Sequence, residues 1–216
     1  MRPRIFLIDE VDDRVETPSG SALLPDSDES VPRAVGLCPA CLNVSGLPPY
    51  DILVHGSDDL LAMDLTVKAF IPLGPPLIAA LPYAERLAHA LTGCTCVRVG
   101  YSDWNQDRDL RGGERFEKGP LLGGLYVTGT CTDATTAGGR PVRCCSACGC
   151  LRPPGWFDRA AKQRVFPVCS AWDGCDLFVL EGMSQELGTV LTEAGRQKMA
   201  QLGFNNLRLN ELEWSN

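Results

Sequence analysis

The sequence has no long hydrophobic run. Its first apolar stretch, Ile5 to Ile8, is shorter than the core of about 7–15 residues that an export signal requires. The later stretch from Phe70 to Leu81 is broken by Pro72, Gly74, Pro75 and Pro76 and falls far short of the roughly 20 residues of a spanning helix. The reading is therefore of a cytoplasmic chain with no membrane segment. Basic residues are also scarce: 20 Lys and Arg against 27 Asp and Glu give a net charge of −7. Nucleic-acid binding draws its affinity from neutralising phosphates with Lys and Arg, so this balance argues against nucleic acid as the partner. It favours a neutral or basic protein. Histidine is nearly absent, with only His55 and His89. No Gly-x-Ser-x-Gly elbow, phosphate-binding loop, dinucleotide fingerprint or His-Glu-x-x-His helix is present. An enzyme is thus unsupported.

What is abundant is cysteine. Eleven cysteines in a short secreted chain would imply a disulfide framework, but the count is odd, no export signal is read, and several fall in Cys-x-x-Cys spacing. Two turns that each present a pair of thiolates build the tetrahedral four-sulfur cage preferred by structural zinc. Cys38, Cys41, Cys145 and Cys148 form the expected ligand set. Their separation is much longer than the usual 15–20 residues of a compact ribbon, so a long insertion must return the chain to the site. Gly149 follows the second pair, whereas Leu42 follows the first. Cys144, Cys150, Cys169 and Cys175 stand as further candidates, and buried core cysteines remain the competing reading. Cys38-Pro-Ala-Cys41 has the spacing of a thioredoxin active site, which needs its first thiolate at a helix N-terminus. The chain after Cys41 runs through Gly46, Pro48 and Pro49 and cannot form that helix.

The pattern predicts an α+β fold with a mixed sheet, few helices and a zinc-knuckle-like cysteine site. It reads as one domain over 1–216, with 1–49 and 140–216 as a zinc-containing core and 50–139 as an insertion or sheet region. Strands are expected at Arg4–Asp9, Asp64–Phe70, Cys96–Tyr101, Gly123–Thr128, Asp176–Leu180 and through Leu207, Leu209 and Leu212. One helix is expected over Pro82–Leu91, where Ala84, Leu87, Ala88 and Leu91 recur at helical spacing. A second is expected from a Thr192 cap through Leu202, stopped by Gly203. The polar stretches Glu10–Arg33 and Ser102–Gly119 read as loops. Acidic groups at Asp58 and Asp59, and at Asp103, Asp107 and Asp109 around Trp104, are the candidate partner-binding residues. Acids would dock a basic partner, with the tryptophan as anchor. Solvated loop faces are the plainer alternative.

Three features carry a family resemblance. They are the strand-like start Arg4–Asp9, the motifs Cys38-Pro-Ala-Cys41 and Cys145-Ser-Ala-Cys148-Gly149, and a run Asp173-Gly-Cys-Asp-Leu-Phe178 followed by Thr192-Glu193 and Leu202-Gly203-Phe204. In these the chain resembles the double-CXXCG motif proteins of myxobacteria, immunity proteins of Sit-type polymorphic toxins. The resemblance covers the start and roughly residues 140–214, and Leu42 departs from the glycine of the first motif. It implies a cytosolic bacterial protein that binds and blocks a cognate toxin domain, with structural zinc and no inherited catalytic residues. An acidic surface suits a basic, nuclease-like toxin. The alternative is a zinc-ribbon-like adaptor in nucleic-acid or transcription complexes, which would carry a basic stripe that this sequence lacks.

Overall fold

The structure, a computed structural model, describes residues 2–11, 22–23, 52–55, 66, 68–71, 77–102, 121–142, 145–147, 157–158, 163–180 and 188–215. The fold is α+β, with two mixed sheets, one small antiparallel sheet and, among the described residues, two α-helices. None of the described helices is long and apolar enough to cross a membrane.

The strands, in chain order, are β1 (Ile5–Val11), β2 (Ala22–Leu23), β3 (Ile52–His55), β4 (Leu77–Ala80), β5 (Cys94–Ser102), β6 (Leu122–Val127), β7 (Thr130–Cys131), β8 (Ala134–Thr136), β9 (Phe157–Asp158), β10 (Gln163–Pro167), β11 (Leu177–Leu180), β12 (Val190–Thr192) and β13 (Leu207–Leu212). Helix α1 spans Leu81–Ala90 and α2 spans Glu193–Gln201. The central sheet has the order β13-β1-β12-β11-β7, a second sheet runs β2-β3-β5-β6-β4, and a small sheet runs β8-β10-β9.

The central sheet separates two cores. Because side chains alternate across a strand, the adjacent residues Leu177 and Phe178 face opposite ways, and both are fully buried. Leu177 joins Leu191 and Met199 in a first core that also holds Leu87 of α1 and Leu125 of β6. Phe178 joins Ile5, Val190 and Leu180 in a second core closed by Val165 and Ala134 of the small sheet. A register shift between Ile8 and Glu10 keeps β1 on this plan. The extra residue lets Ile8 and Val11 both reach the first core, where a regular strand would set them on opposite faces.

The two helices form where the pattern places them. Pro82 sits in the first turn of α1, and Ala84 and Leu87 are fully buried against the second sheet. The Thr192 hydroxyl accepts the Gly195 amide at 3.1 Å and so caps α2, while Gly203 takes φ +94 at its end. The expected strand at Asp64–Phe70 does not form in its described part. Thr66 lies in a turn and Lys68–Phe70 are irregular. A distant side chain takes up the backbone groups that a ladder would need: Asn206 accepts the Phe70 amide at 3.0 Å and donates to the Phe70 carbonyl at 2.7 Å. Conversely, β2 forms inside the stretch Glu10–Arg33 read as a loop, where it pairs with β3, and β3, β4, β7, β8, β9, β10 and β12 form where no strand is expected. β7 and β8 pair with β11 and β10, so residues 130–136 pack with the part of the chain beyond residue 140.

Candidate metal centre and interdomain-like joint

Of the four expected metal ligands, Cys145 alone lies among the described residues, and Cys38, Cys41 and Cys148 lie outside them. Asp58, Asp59, Asp103, Trp104, Asp107 and Asp109 also lie outside. The chain reaches Cys145 through a tight hairpin, in which the Gly139 amide bonds the Thr136 carbonyl and the Val142 amide bonds the Ala134 carbonyl at 3.1 Å. Cys145 is 4% exposed and opens a turn through Ser146 and Ala147, both exposed. A buried sulfur entering a two-residue turn is the arrangement by which a Cys-x-x-Cys pair converges on one ion. Cys145, the one described residue of the expected set, is thus buried at the entrance to a turn. Among the described residues, no three His, Cys, Asp or Glu side chains group as a metal site by themselves.

The other described thiols, Cys94, Cys96, Cys131, Cys169 and Cys175, are free. Burial, with the charges of Asp176, Cys96 and Cys175, pushes the Cys94 thiol up to about 12. Burial also raises Cys131, whose Sγ donates to the carbonyls of Asp133 and Val168 at 3.3 and 3.4 Å. Thiols held protonated in this way are poor nucleophiles and behave as small core residues.

The run Asp173–Phe178, singled out in the sequence, is the joint between the central and second sheets. Asp173 accepts the Thr130 amide at 2.6 Å and the Cys175 amide at 2.9 Å. Asp176 accepts the amide and hydroxyl of Thr92 at 2.9 and 3.0 Å and Lys198 Nζ at 2.7 Å. The Asp176 amide returns a bond to the Thr92 hydroxyl at 2.9 Å, and its carbonyl accepts the Thr192 amide at 2.9 Å. Asp176 alone thus ties Thr92 after α1, Thr192 at the end of β12 and the cap of α2, and Lys198 in the last turn of α2. Burial works against the charge on Asp176 but is outweighed by the bonds from Lys198 and Thr92, so the carboxyl titrates below its ordinary range. The joint is close enough to demand glycine opposite it. A Cβ at Gly93 or Gly129 would run into the Leu177 carbonyl, and at Gly93 it would lie 2.5 Å from Cys175 Cβ.

Thr92 and Lys198 were not legible as partners of this run. Thr92 is 84 residues from Asp176, and nothing local distinguishes Lys198 from an exposed helical lysine. Trp172 and Trp214, which sandwich the second core with Phe178, also carry no motif.

No family model, no curated protein and no solved structure matches this chain.

Proposed function

We propose that this chain is an immunity protein that binds a cognate polymorphic toxin domain, nuclease-like in character, and neutralises it in the cytosol by binding rather than catalysis. A structural zinc ion on Cys38, Cys41, Cys145 and Cys148 holds the fold. The observation that carries the reading is the use made of the Asp173–Phe178 run, on which the family resemblance chiefly rests. Both of its carboxylates are occupied by backbone amides, a hydroxyl and a lysine. A family signature used as scaffold suits a protein whose partner surface varies around a constant frame. The net charge of −7 suits a basic partner, and the burial of Cys145 suits a closed, all-sulfur zinc site.

The test is coexpression with toxin domains encoded beside the gene. The chain should copurify one-to-one with its cognate toxin, protect cells from it, and associate more slowly as salt rises. Reversing Asp103, Asp107 and Asp109, or Asp58 and Asp59, should slow association if those loops steer the encounter. Wild-type protein that neither binds nor protects against any adjacent toxin would overturn the proposal.

A further inference from the structure

The segment Glu213–Ser215 follows β13, leaves the central sheet and reaches the small sheet. All three residues keep some exposure to solvent. Trp214 stacks on Phe178 with centroids 5.9 Å apart and planes 11° apart, and meets Trp172 at 5.4 Å. Its indole N–H donates to the Pro3 carbonyl at 2.6 Å. One residue on, the Ser215 amide donates to the Pro167 carbonyl at 2.8 Å, its hydroxyl bonds the Thr135 hydroxyl, and its carbonyl accepts the Arg2 guanidinium at 2.8 Å. Its backbone bridges Val168 in parallel. These are the contacts of a short extended peptide laid beside a strand, with one side chain in a pocket. The groups that receive them are placed by other pairings: β1 and β11 are both bonded to β12, and β8 to β10.

We propose that Trp214 occupies, in cis, a recognition slot for an extended protein segment carrying tryptophan followed by serine or threonine, and that Glu213–Ser215 is a strap that lifts to admit it. With the strap lifted, Phe178 and Trp172 wall the slot. The carbonyls of Pro3 and Pro167 and the hydroxyl of Thr135 lose the donors that serve them here. Tryptophan is specified because the slot ends on a carbonyl, which wants an N–H that phenylalanine lacks. The next residue is specified by its backbone amide, aimed at Pro167, and by a hydroxyl facing Thr135. A partner segment has to displace the strap, so its apparent affinity is reduced by the fraction of molecules in which the strap is open. The slot is defined without the acidic residues named above, and its occupancy is independent of the toxin reading.

The test uses the full chain and a capped peptide, Glu-Leu-Glu-Trp-Ser, the sequence of residues 211–215. In wild-type protein the Trp214 indole and the Ser215 amide should exchange hydrogen about tenfold faster than the amides of Leu177–Leu180, through an opening that leaves the central sheet folded. Exchange at one common rate would tie the strap to global unfolding and overturn it. Trp214→Ala should bind the peptide about tenfold more tightly than wild type, since no indole competes for the slot. A peptide with alanine in place of tryptophan should not bind. Because that truncation can compromise folding, Ser215→Pro serves as the second variant; it keeps the ring and removes only the amide bonded to Pro167. It should speed exchange of the indole and bind the peptide with intermediate affinity. Equal affinity for wild type and both variants would put the peptide elsewhere and overturn the slot, as would no binding to any of them. Free indole held by Trp214→Ala as tightly as the peptide would reduce the slot to a vacated core cavity and overturn it as well.

Discussion

The two faces of the central sheet are closed by different means. The first core is built mostly from aliphatic side chains on two helices and two sheets, with Leu87, Leu125, Leu177 and Leu191 among them, and it holds one aromatic pair, Phe70 and Phe204, at 4.8 Å. Its helices are started by local sequence, one by Pro82 in its first turn and the other by the Thr192 cap. The second core has no α-helix among the described residues. It is closed by short strands, by the cluster of Trp172, Phe178 and Trp214, in which Phe178 and Trp214 stack, by the Cys131 thiol bonded to backbone, and by the hydroxyl pair of Thr135 and Ser215. The lesson is that one side of a sheet can be stabilised mainly by aliphatic area spread over many residues and the other by a few large contacts, so that a single substitution removes a larger share of the second.

The sharpest way to test this difference is to change two adjacent residues that face opposite cores. Phe178→Ala should cost about 3–5 kcal/mol and Leu177→Ala about 2–5 kcal/mol in denaturant unfolding. Only Phe178→Ala should also remove the near-ultraviolet circular dichroism of the paired Trp172 and Trp214 while folded protein remains. Loss of that signal in both variants would mean that the two cores are one cooperative unit.

A smaller effect is expected at the joint. Asp176→Ala leaves the Thr92 amide and Lys198 without their acceptor and should cost about 1–3 kcal/mol. Because the folded carboxyl is depressed, its contribution is fully present above the ordinary carboxylate range near 3.8 and is lost as pH falls through the lower folded value. The wild type should therefore lose stability in acid more steeply than Asp176→Ala. Parallel acid limbs would show that the Lys198 pair is not stabilising.

The smallest expected change is at the helix cap. Thr192→Ala removes the acceptor of the Gly195 amide and should cost about 1 kcal/mol. Its effect should be confined to exchange in α2, leaving the tryptophan signal of the second core intact.

The first core was largely legible in the sequence and the second was not. Helices announce themselves by periodicity, proline and threonine caps, all within a dozen residues, and strands β1, β5, β6, β11 and β13 by apolar or β-branched runs. The small sheet is made of segments of two to five residues, too short to establish a period. Its burial is supplied by Trp172 and Trp214, tens of residues away from β8. The irregular Lys68–Phe70 segment was misread for a related reason, since Asn206, which takes its backbone bonds, lies 136 residues on. At the candidate metal centre, spacing alone identified the turn at Cys145. The Asp173–Phe178 run was legible as a motif, but its role as a joint became visible only with Thr92 and Lys198 beside it.

The order of strands in the central sheet sets a timetable for folding. β1, from the beginning of the chain, lies between β12 and β13, from residues 190–212. Neither edge of β1 can be satisfied until residues 190–212 have been synthesised, whereas β5, β6 and the helix on them lie within residues 81–127. The second sheet can therefore collapse early around α1, with the apolar strand Ile5–Ile8 still waiting for its neighbours. A ribosome stalled before residue 190 would carry a folded half and an exposed β1. Such an intermediate should need a chaperone that the finished protein does not.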